Sequence, residues 1–221
     1  MNTKPVNFVT IGSSPLLSGN TNFIFEIHIL KLKNSDIDNL NSLPVSEKIN
    51  LIYKRGGLIK FKSIENKIFG SNLILIESYL PQILAETIIC ACKYNTIMLS
   101  QILKLLEQIN PLGVPCMGDI KFYTYKIKEL LRHLILGMQP KKIWCGEPDV
   151  YDHYPIMKDA DEILYYTDNI NKFIEIVMQN TKLQFPDSVI NPSSIYVENE
   201  KFYIKLNLQL NFEIDPTARQ S

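Results

Sequence analysis

Strict alternation of apolar and polar side chains marks the two clearest strands of the chain. Between residues 22 and 32, every second position is apolar over the run Phe23, Phe25, Ile27 and Ile29. The alternation is longer between residues 201 and 212, where the apolar positions are Phe202, Ile204, Leu206, Leu208, Leu210 and Phe212. Because successive side chains of a strand point to opposite faces of a sheet, each segment predicts a strand with one buried and one polar face.

Apolar residues at helical spacing predict the longest helices. Leu80–Tyr94 has a proline in its first turn and is apolar on nearly every side, which predicts a buried helix. Residues 96–108 and 122–136 each carry apolar residues along one side, and Gly137 ends the second of these helices. Shorter helices are predicted at residues 34–43, 45–53 and 169–180.

The remaining elements are short and mixed in type. Strands are predicted at residues 58–61 and 72–76, and residues 154–166 predict a hairpin that turns at 159–162. Strands and helices follow each other irregularly. This order predicts an α/β (mixed α+β) fold with a mixed β-sheet flanked by helices, in a single domain of residues 1–214 followed by a disordered tail of residues 215–221.

Composition narrows the class of protein without naming a function. The chain has 221 residues, 46% of them hydrophobic and 21% charged, which is typical of a soluble globular domain. The formal net charge is zero, so a nonspecific, strongly basic DNA coat is excluded, although a cleft of local positive charge is not. No apolar run approaches twenty residues and the first residues lack a signal peptide, so we expect a cytoplasmic protein with no membrane partner.

The four cysteines lack the spacing of zinc ligands. Cys90 and Cys92 are two residues apart, Cys116 and Cys145 stand alone, and none has a histidine at ligand spacing. We therefore expect buried free thiols.

An aspartate and a lysine nine residues apart form the first candidate site. Metal-dependent nucleases hold their cation with carboxylate oxygens and often place a lysine near the attacking water. Asp149 follows Pro148, and Lys158 ends the first strand of the predicted hairpin. In the common PD-(D/E)XK motif an acid stands two residues before the lysine, and Ile156 occupies that position here. On spacing alone, a loop aspartate and a solvated strand-end lysine are the simpler explanation.

Glu86 is the second candidate. It is the only charged residue between Glu77 and Lys93, in the middle of the apolar helix, and its neighbours on the same side are largely apolar. A carboxylate there is costly to bury unless a metal or a lysine compensates it. The alternative is that the helix is exposed to solvent at this point.

Two groups of polar side chains could contact nucleic acid. On the polar face of the last strand, Lys205, Asn207 and Gln209 are residue types that pair with base edges, although a solvated strand face is the simpler explanation. On the helix of residues 122–136, Lys126 and Lys128 lie in a run of lysines and aromatic residues that could hold phosphates.

Several blocks of the chain, taken in order, resemble HpaII-type restriction endonucleases. The resemblance extends from about Ile11 to Phe212, and its collinearity carries more weight than any one block. The blocks are Pro15–Leu17 with Asn22–Ile27, Leu80–Glu86, Phe122–Lys128, Leu136–Pro140, Trp144 with Gly146, and Phe202–Gln209.

The resemblance implies a PD-(D/E)XK nuclease-like fold, Mg²⁺ dependence and cleavage of double-stranded DNA at CCGG. It assigns Asp149 and Glu86 to the metal and Lys158 to the attacking water. It also implies a functionally linked cognate DNA methyltransferase, and it is compatible with a homodimer.

The chain departs from the family pattern at several positions. Pro155 replaces an aliphatic strand residue beside Lys158, Asp152 and His153 stand where glycines are expected, and the last strand carries Asn211 rather than arginine. Full-length relatives begin upstream of the first shared block, so we expect an N-terminal region to be absent. The alternative to an active enzyme is therefore a catalytically inactive remnant, at most a DNA-binding or interaction domain.

Overall fold

The computed structural model describes most of the chain. The described residues are 7–11, 14–19, 21–29, 34–115, 119–146, 153–159, 162–166, 169–184 and 193–213. Within them lie the helices α1 (Asn34–Asn41), α2 (Val45–Lys54), α3 (Lys67–Ile76), α4 (Leu80–Tyr94), α5 (Leu99–Ile109), α6 (Phe122–Ile135) and α7 (Ile170–Gln179). The strands are β1 (Asn7–Ile11), β2 (Ser14–Leu17), β3 (Asn22–His28), β4 (Leu58–Ile64), β5 (His153–Asp159), β6 (Glu162–Tyr166), β7 (Thr181–Gln184), β8 (Ile195–Glu198), β9 (Lys201–Asn207) and β10 (Gln209–Phe212).

The largest sheet has the order β4-β3-β9-β8 and is antiparallel throughout. Its inner face is apolar, and Phe23, Phe25 and Ile27 are buried there as the alternation predicts. Phe23 and Phe25 each contact the ring of Phe61 on β4, with centroids 6.0 and 6.1 Å apart. One face of this sheet therefore closes the core while the other faces outward.

The predicted long strand of residues 201–212 is two strands in two sheets. The alternation is correct, but the chain leaves the ladder at Leu208, and β10 pairs with β2 and β7 instead. At the break, the buried hydroxyl of Thr21 donates to the Leu208 carbonyl, and the Thr21 carbonyl accepts from the Leu208 N–H at 3.4 Å. Thr21 thus holds Leu208 at the end of the β3–β9 register, and the next residues pair with other strands.

A third sheet, β1-β5-β6, is mixed. β1 runs parallel to β5, and β5 and β6 form the predicted antiparallel hairpin with a register shift beside Lys158. The expectation of mixed α and β structure, with strands in both orientations, is confirmed, but the strands among the described residues form three sheets rather than one.

Four of the described helices, α2, α3, α5 and α6, pack around α4. This helix has the predicted bounds, is buried along most of its length, and packs against α2, α3, α5, α6 and β4. The strand predicted at residues 72–76 is wrong, because these residues form the end of α3. Asn66 caps α3 by accepting hydrogen bonds from the backbone N–H groups of Ile68 and Phe69 at 3.0 and 3.2 Å, and a cap of this kind favours a helix.

The prediction of buried cysteines is confirmed at two positions and wrong at one. Cys90 and Cys92 are buried free thiols, whereas Cys145 is exposed and Cys116 lies outside the described residues. The predicted tail of residues 215–221 also lies outside them.

In the part of the chain that the structure describes, no single helix has the length and apolar character to cross a membrane; α3 and α4 pass that test only as a pair bent by 108°.

Candidate catalytic and nucleic-acid-binding residues

Glu86 lies in the middle of α4 with its side chain partly buried. Burial raises the pKa of its carboxyl group above the usual 4.5. Among the described residues, no hydrogen-bond donor or ion-pair partner reaches this carboxylate. A carboxylate that is partly desolvated and lacks a partner favours either a bound proton or a bound cation.

The negative charge of Glu86 acts on three titratable side chains. Burial, followed by the negative charge of Glu86, raises the pKa of Tyr53 to about 12 and that of Cys90 to about 11. Burial and the same charge also raise the pKa of Tyr123. These three groups are weakly polar and neutral at pH 7, and the lysine beside them, Lys93, lies over the Tyr53 ring at 5.0 Å rather than against the Glu86 carboxylate.

Of the other two predicted catalytic residues, only the backbone of Lys158 lies within the described part of the chain. Asp149 lies outside the described residues. Lys158 lies in β5 opposite Ile163 of β6, and its side chain is outside the described part. β5 packs against α7, whereas α4 packs against other helices and β4. Convergence of Glu86, Asp149 and Lys158 therefore stays a prediction.

The two predicted phosphate-binding lysines of α6 each contact a carboxylate. The Lys126 Nζ lies 2.7 Å from Glu77, and the Lys128 Nζ lies 2.9 Å from Glu175 on α7. Lys126 also lies 5.6 Å from the ring centroid of Tyr125. A phosphate would have to replace a carboxylate at either lysine.

The predicted base-reading residues divide between two sheets. Lys205 on β9 contacts Glu65 at 2.5 Å, while the amide of Asn207 donates to Asn22 at 2.9 Å and to the Gly19 carbonyl at 3.0 Å. Gln209 lies in β10, opposite Gln184 of β7. The Asn207 amide hydrogens are thus already bonded within the protein, and a contact with a base would have to displace one of these partners.

The outer face of β4-β3-β9-β8 carries charged residues that the sequence analysis did not single out. Glu26, in the central strand β3, lies 3.0 Å from the Nζ of Lys201 and 3.5 Å from Nε2 of His28. The hydrogen bond from Lys201 holds the pKa of Glu26 below its usual value. Lys62 lies 4.0 Å from the ring centroid of Tyr203. The alternation in β3 and β9 could have placed Glu26 and Lys201 on one face.

An open cleft of about 430 Å³ is lined in part by Gly19, whose carbonyl accepts a hydrogen bond from Asn207. Its walls are the turn at Gly19 and the loop after α6, including Gln139 and Lys141. Within the described ranges, no group of three or more His, Cys, Asp or Glu side chains is placed to hold a metal ion.

Comparison with known proteins identifies the class. The family model for the HpaII restriction endonuclease matches residues 10–212, so the chain belongs to this restriction endonuclease family. The chain is also similar to the type II restriction enzyme HpaII of Haemophilus parainfluenzae, with 34% identity over 195 residues. That alignment covers 87% of this chain and 54% of the relative, so the chain spans about half the length of the curated protein it matches. No solved structure matches the chain.

Proposed function

We propose that the chain acts as a type II restriction endonuclease, hydrolysing phosphodiester bonds of duplex DNA at a CCGG-like site with Mg²⁺. The observation that carries this proposal is the family match over residues 10–212. The mixed architecture of helices and sheets is consistent with a nuclease-like fold, and a PD-(D/E)XK core is part of the proposal.

In the proposed site, Glu86 and Asp149 hold the metal and Lys158 orients the attacking water. The support from the structure is the state of Glu86, which is partly buried and has no partner among the described residues. Such a carboxylate suits a hard divalent cation, whose charge would compensate its desolvation. When bound, Mg²⁺ supplies Lewis-acid polarisation of the phosphoryl oxygens.

The proposal extends to the partners. Lys126, Lys128, Lys205, Asn207 and Gln209 remain proposed DNA contacts, and all but Gln209 would exchange a protein partner for DNA. A CCGG site is palindromic, so a twofold homodimer would present one site to each strand. An enzyme that cuts this sequence would also damage its own genome in the cytoplasm unless a cognate methyltransferase protected the sites.

The proposed catalytic roles are tested by cleavage of a CCGG-containing plasmid with Mg²⁺. The variants are Asp149→Asn, Lys158→Ala and Glu86→Gln, each compared with the exposed control substitutions Asp119→Asn and Lys104→Ala. We expect each catalytic variant to lose about 100-fold or more in the single-turnover rate, as is common when a positioned catalytic group is removed. The controls should retain the rate of the unmodified protein.

Two results would contradict parts of the proposal. If Glu86→Gln cuts as fast as the controls while Asp149→Asn does not, Glu86 is not a metal ligand. If the folded, unmodified protein binds the CCGG duplex but never cuts it, the noncatalytic alternative is favoured and the catalytic roles are wrong.

A further inference from the structure

All basic residues of the β4-β3-β9-β8 sheet lie on its outer face. In this sheet they are His28 on β3, Lys60 and Lys62 on β4, and Lys201 and Lys205 on β9. The register places Lys60 beside Glu26, and the contacts of Lys62 and Lys201 with Tyr203 and Glu26 place them on the same side. The inner face is apolar, so we call this opposite face the polar sheet face.

The lysines of the polar sheet face are not neutralised one for one. Lys201 and Lys205 contact Glu26 and Glu65, as the lysines of α6 contact their own carboxylates. The ammonium group of Lys62 lies over the Tyr203 ring instead of against a carboxylate. Lys60 is exposed and has no ion-pair partner among the described residues. A third carboxylate, Glu198, lies opposite Lys201, and its charge also acts on Lys62 and Lys205. Four lysines thus face three carboxylates, so the face keeps a small excess of positive charge for an anion.

The arrangement of these charges suits a polyanion. Lys60 and Lys62 lie on one side of β3 and Lys201 and Lys205 on the other, so the two rows are about 10 Å apart, which is two strand spacings. A strand of seven residues is about 23 Å long. Since each strand of duplex DNA carries a phosphate about every 3.4 Å along the axis, several phosphates fall within that length.

The contacts beneath these lysines fix the position of their charges. Tyr203 is 3% exposed, and its ring lies 5.7 Å from that of Tyr196, so the surface under Lys62 is packed. The Lys205 Nζ lies 5.6 Å from the ring centroid of Tyr196. Exposed lysine–carboxylate pairs contribute little to stability, so phosphates can replace the carboxylates at low cost.

We propose that the polar sheet face is the surface that contacts the DNA backbone, with Lys60, Lys62 and Lys201 binding phosphates. The inference rests on the proposed function, because it takes duplex DNA as the ligand. It also assigns Glu26 a distinct effect: this carboxylate occupies Lys201 and repels phosphates, so its removal strengthens DNA binding.

The first test measures the affinity of the protein for a 20-base-pair duplex with one CCGG site, without Mg²⁺, across a series of salt concentrations. The triple variant Lys60→Gln, Lys62→Gln and Lys201→Gln is compared with a control of equal charge change, Lys54→Gln, Lys104→Gln and Lys172→Gln, at exposed helix positions. Since each phosphate contact contributes about 0.9 to the slope of log K against log salt, the sheet variant should lose about 2 to 3 in slope and the control almost none.

The second test removes a negative charge from the polar sheet face instead of positive charges. Glu26→Gln should bind the duplex more tightly and steepen the salt slope by about one, because Lys201 becomes free for a phosphate. The matched control is Glu213→Gln, which releases Lys182 from a similar pair on another sheet. A purely structural role of Glu26 predicts unchanged or weaker binding.

Circular dichroism and thermal unfolding check that each variant is folded. If the triple variant unfolds, the single change Lys60→Gln takes its place, because Lys60 has no ion pair among the described residues.

The outcomes separate this inference from the proposed function. If the unmodified protein binds DNA, but the sheet and control triples lose affinity equally, or Glu26→Gln fails to tighten binding, the polar sheet face is not the contact surface. If the folded, unmodified protein binds no duplex at any salt concentration, the proposed function itself fails, and this inference fails with it.

Discussion

Replacing Asn72 with alanine removes the side chain that fixes the loop after α6 to α3. Asn72 is 2% exposed, and its amide donates to the carbonyls of Gln139 at 3.2 Å and Lys142 at 2.7 Å. Its side-chain carbonyl accepts the backbone N–H of Trp144 at 2.9 Å. One buried side chain thus holds both ends of this loop segment.

The expected cost follows from these three hydrogen bonds. Each contributes about 1 kcal/mol net, and a buried backbone group left without a partner costs at least that much. We therefore expect Asn72→Ala to lower the free energy of unfolding by about 3 kcal/mol. In a protein of this size, 1 kcal/mol shifts the melting temperature by about 2–4 °C, which gives a decrease of about 6–12 °C.

The assay combines thermal unfolding with the fluorescence of Trp144, the single tryptophan of the chain. Because the loop is released locally, the emission of Trp144 should change in the folded variant, well below its melting temperature. Ser71→Ala, at an exposed position of the same helix, controls for the higher helix propensity of alanine. A melting temperature within about 1 °C of this control, with unchanged emission, would refute the role assigned to Asn72.

Two further predictions concern single side chains of the helical layer. Burial raises the pKa of the Glu86 carboxyl group above its usual value of 4.5. Between these two pKa values, the folded state holds a proton that the unfolded state has lost. The free energy of unfolding therefore falls as the pH rises from 4.5 to the raised pKa. Glu86→Gln should therefore gain stability over the unmodified protein towards pH 7 and lose that advantage towards about pH 4 in urea unfolding; an advantage that grows on acidification would contradict this. Tyr123 donates to Asn110 and accepts the N–H of Leu112, each at 3.0 Å, so Tyr123→Phe should cost about 1–2 kcal/mol in the same assay, and no loss would show that water replaces the hydroxyl.

The parts of the fold that sequence predicts are those where burial follows a local period. Alternation identified β3, and the apolar helix Leu80–Tyr94 has the predicted bounds. The run from Leu73 to Ile76 is too short and too uniformly apolar for its pattern to distinguish a strand from a helix. The Asn66 side chain caps the start of α3 and so favours the helix. The break at Leu208 left no trace in the alternation, because it is a change of strand partners from β3 to β2 and β7, which lie elsewhere in the sequence.

The candidate site was less predictable, since pairing between charges is a tertiary property. Nothing near Lys128 in the sequence indicates that Glu175 contacts it, and nothing near Lys205 indicates Glu65. The alternation did place Lys205 and Asn207 on an outer face. It could not show that Gln209, two residues further, belongs to another sheet.

The most direct test of the proposed activity compares two short duplexes of identical composition, one with a central CCGG and one with a central CGCG. Each is incubated with the purified, folded chain and Mg²⁺, and the ends of any products are mapped. We expect a defined cut in each strand of the CCGG duplex and an intact CGCG duplex. Equal cutting of both duplexes would contradict the proposed site, and an intact CCGG duplex under all metal and salt conditions would contradict the proposed activity.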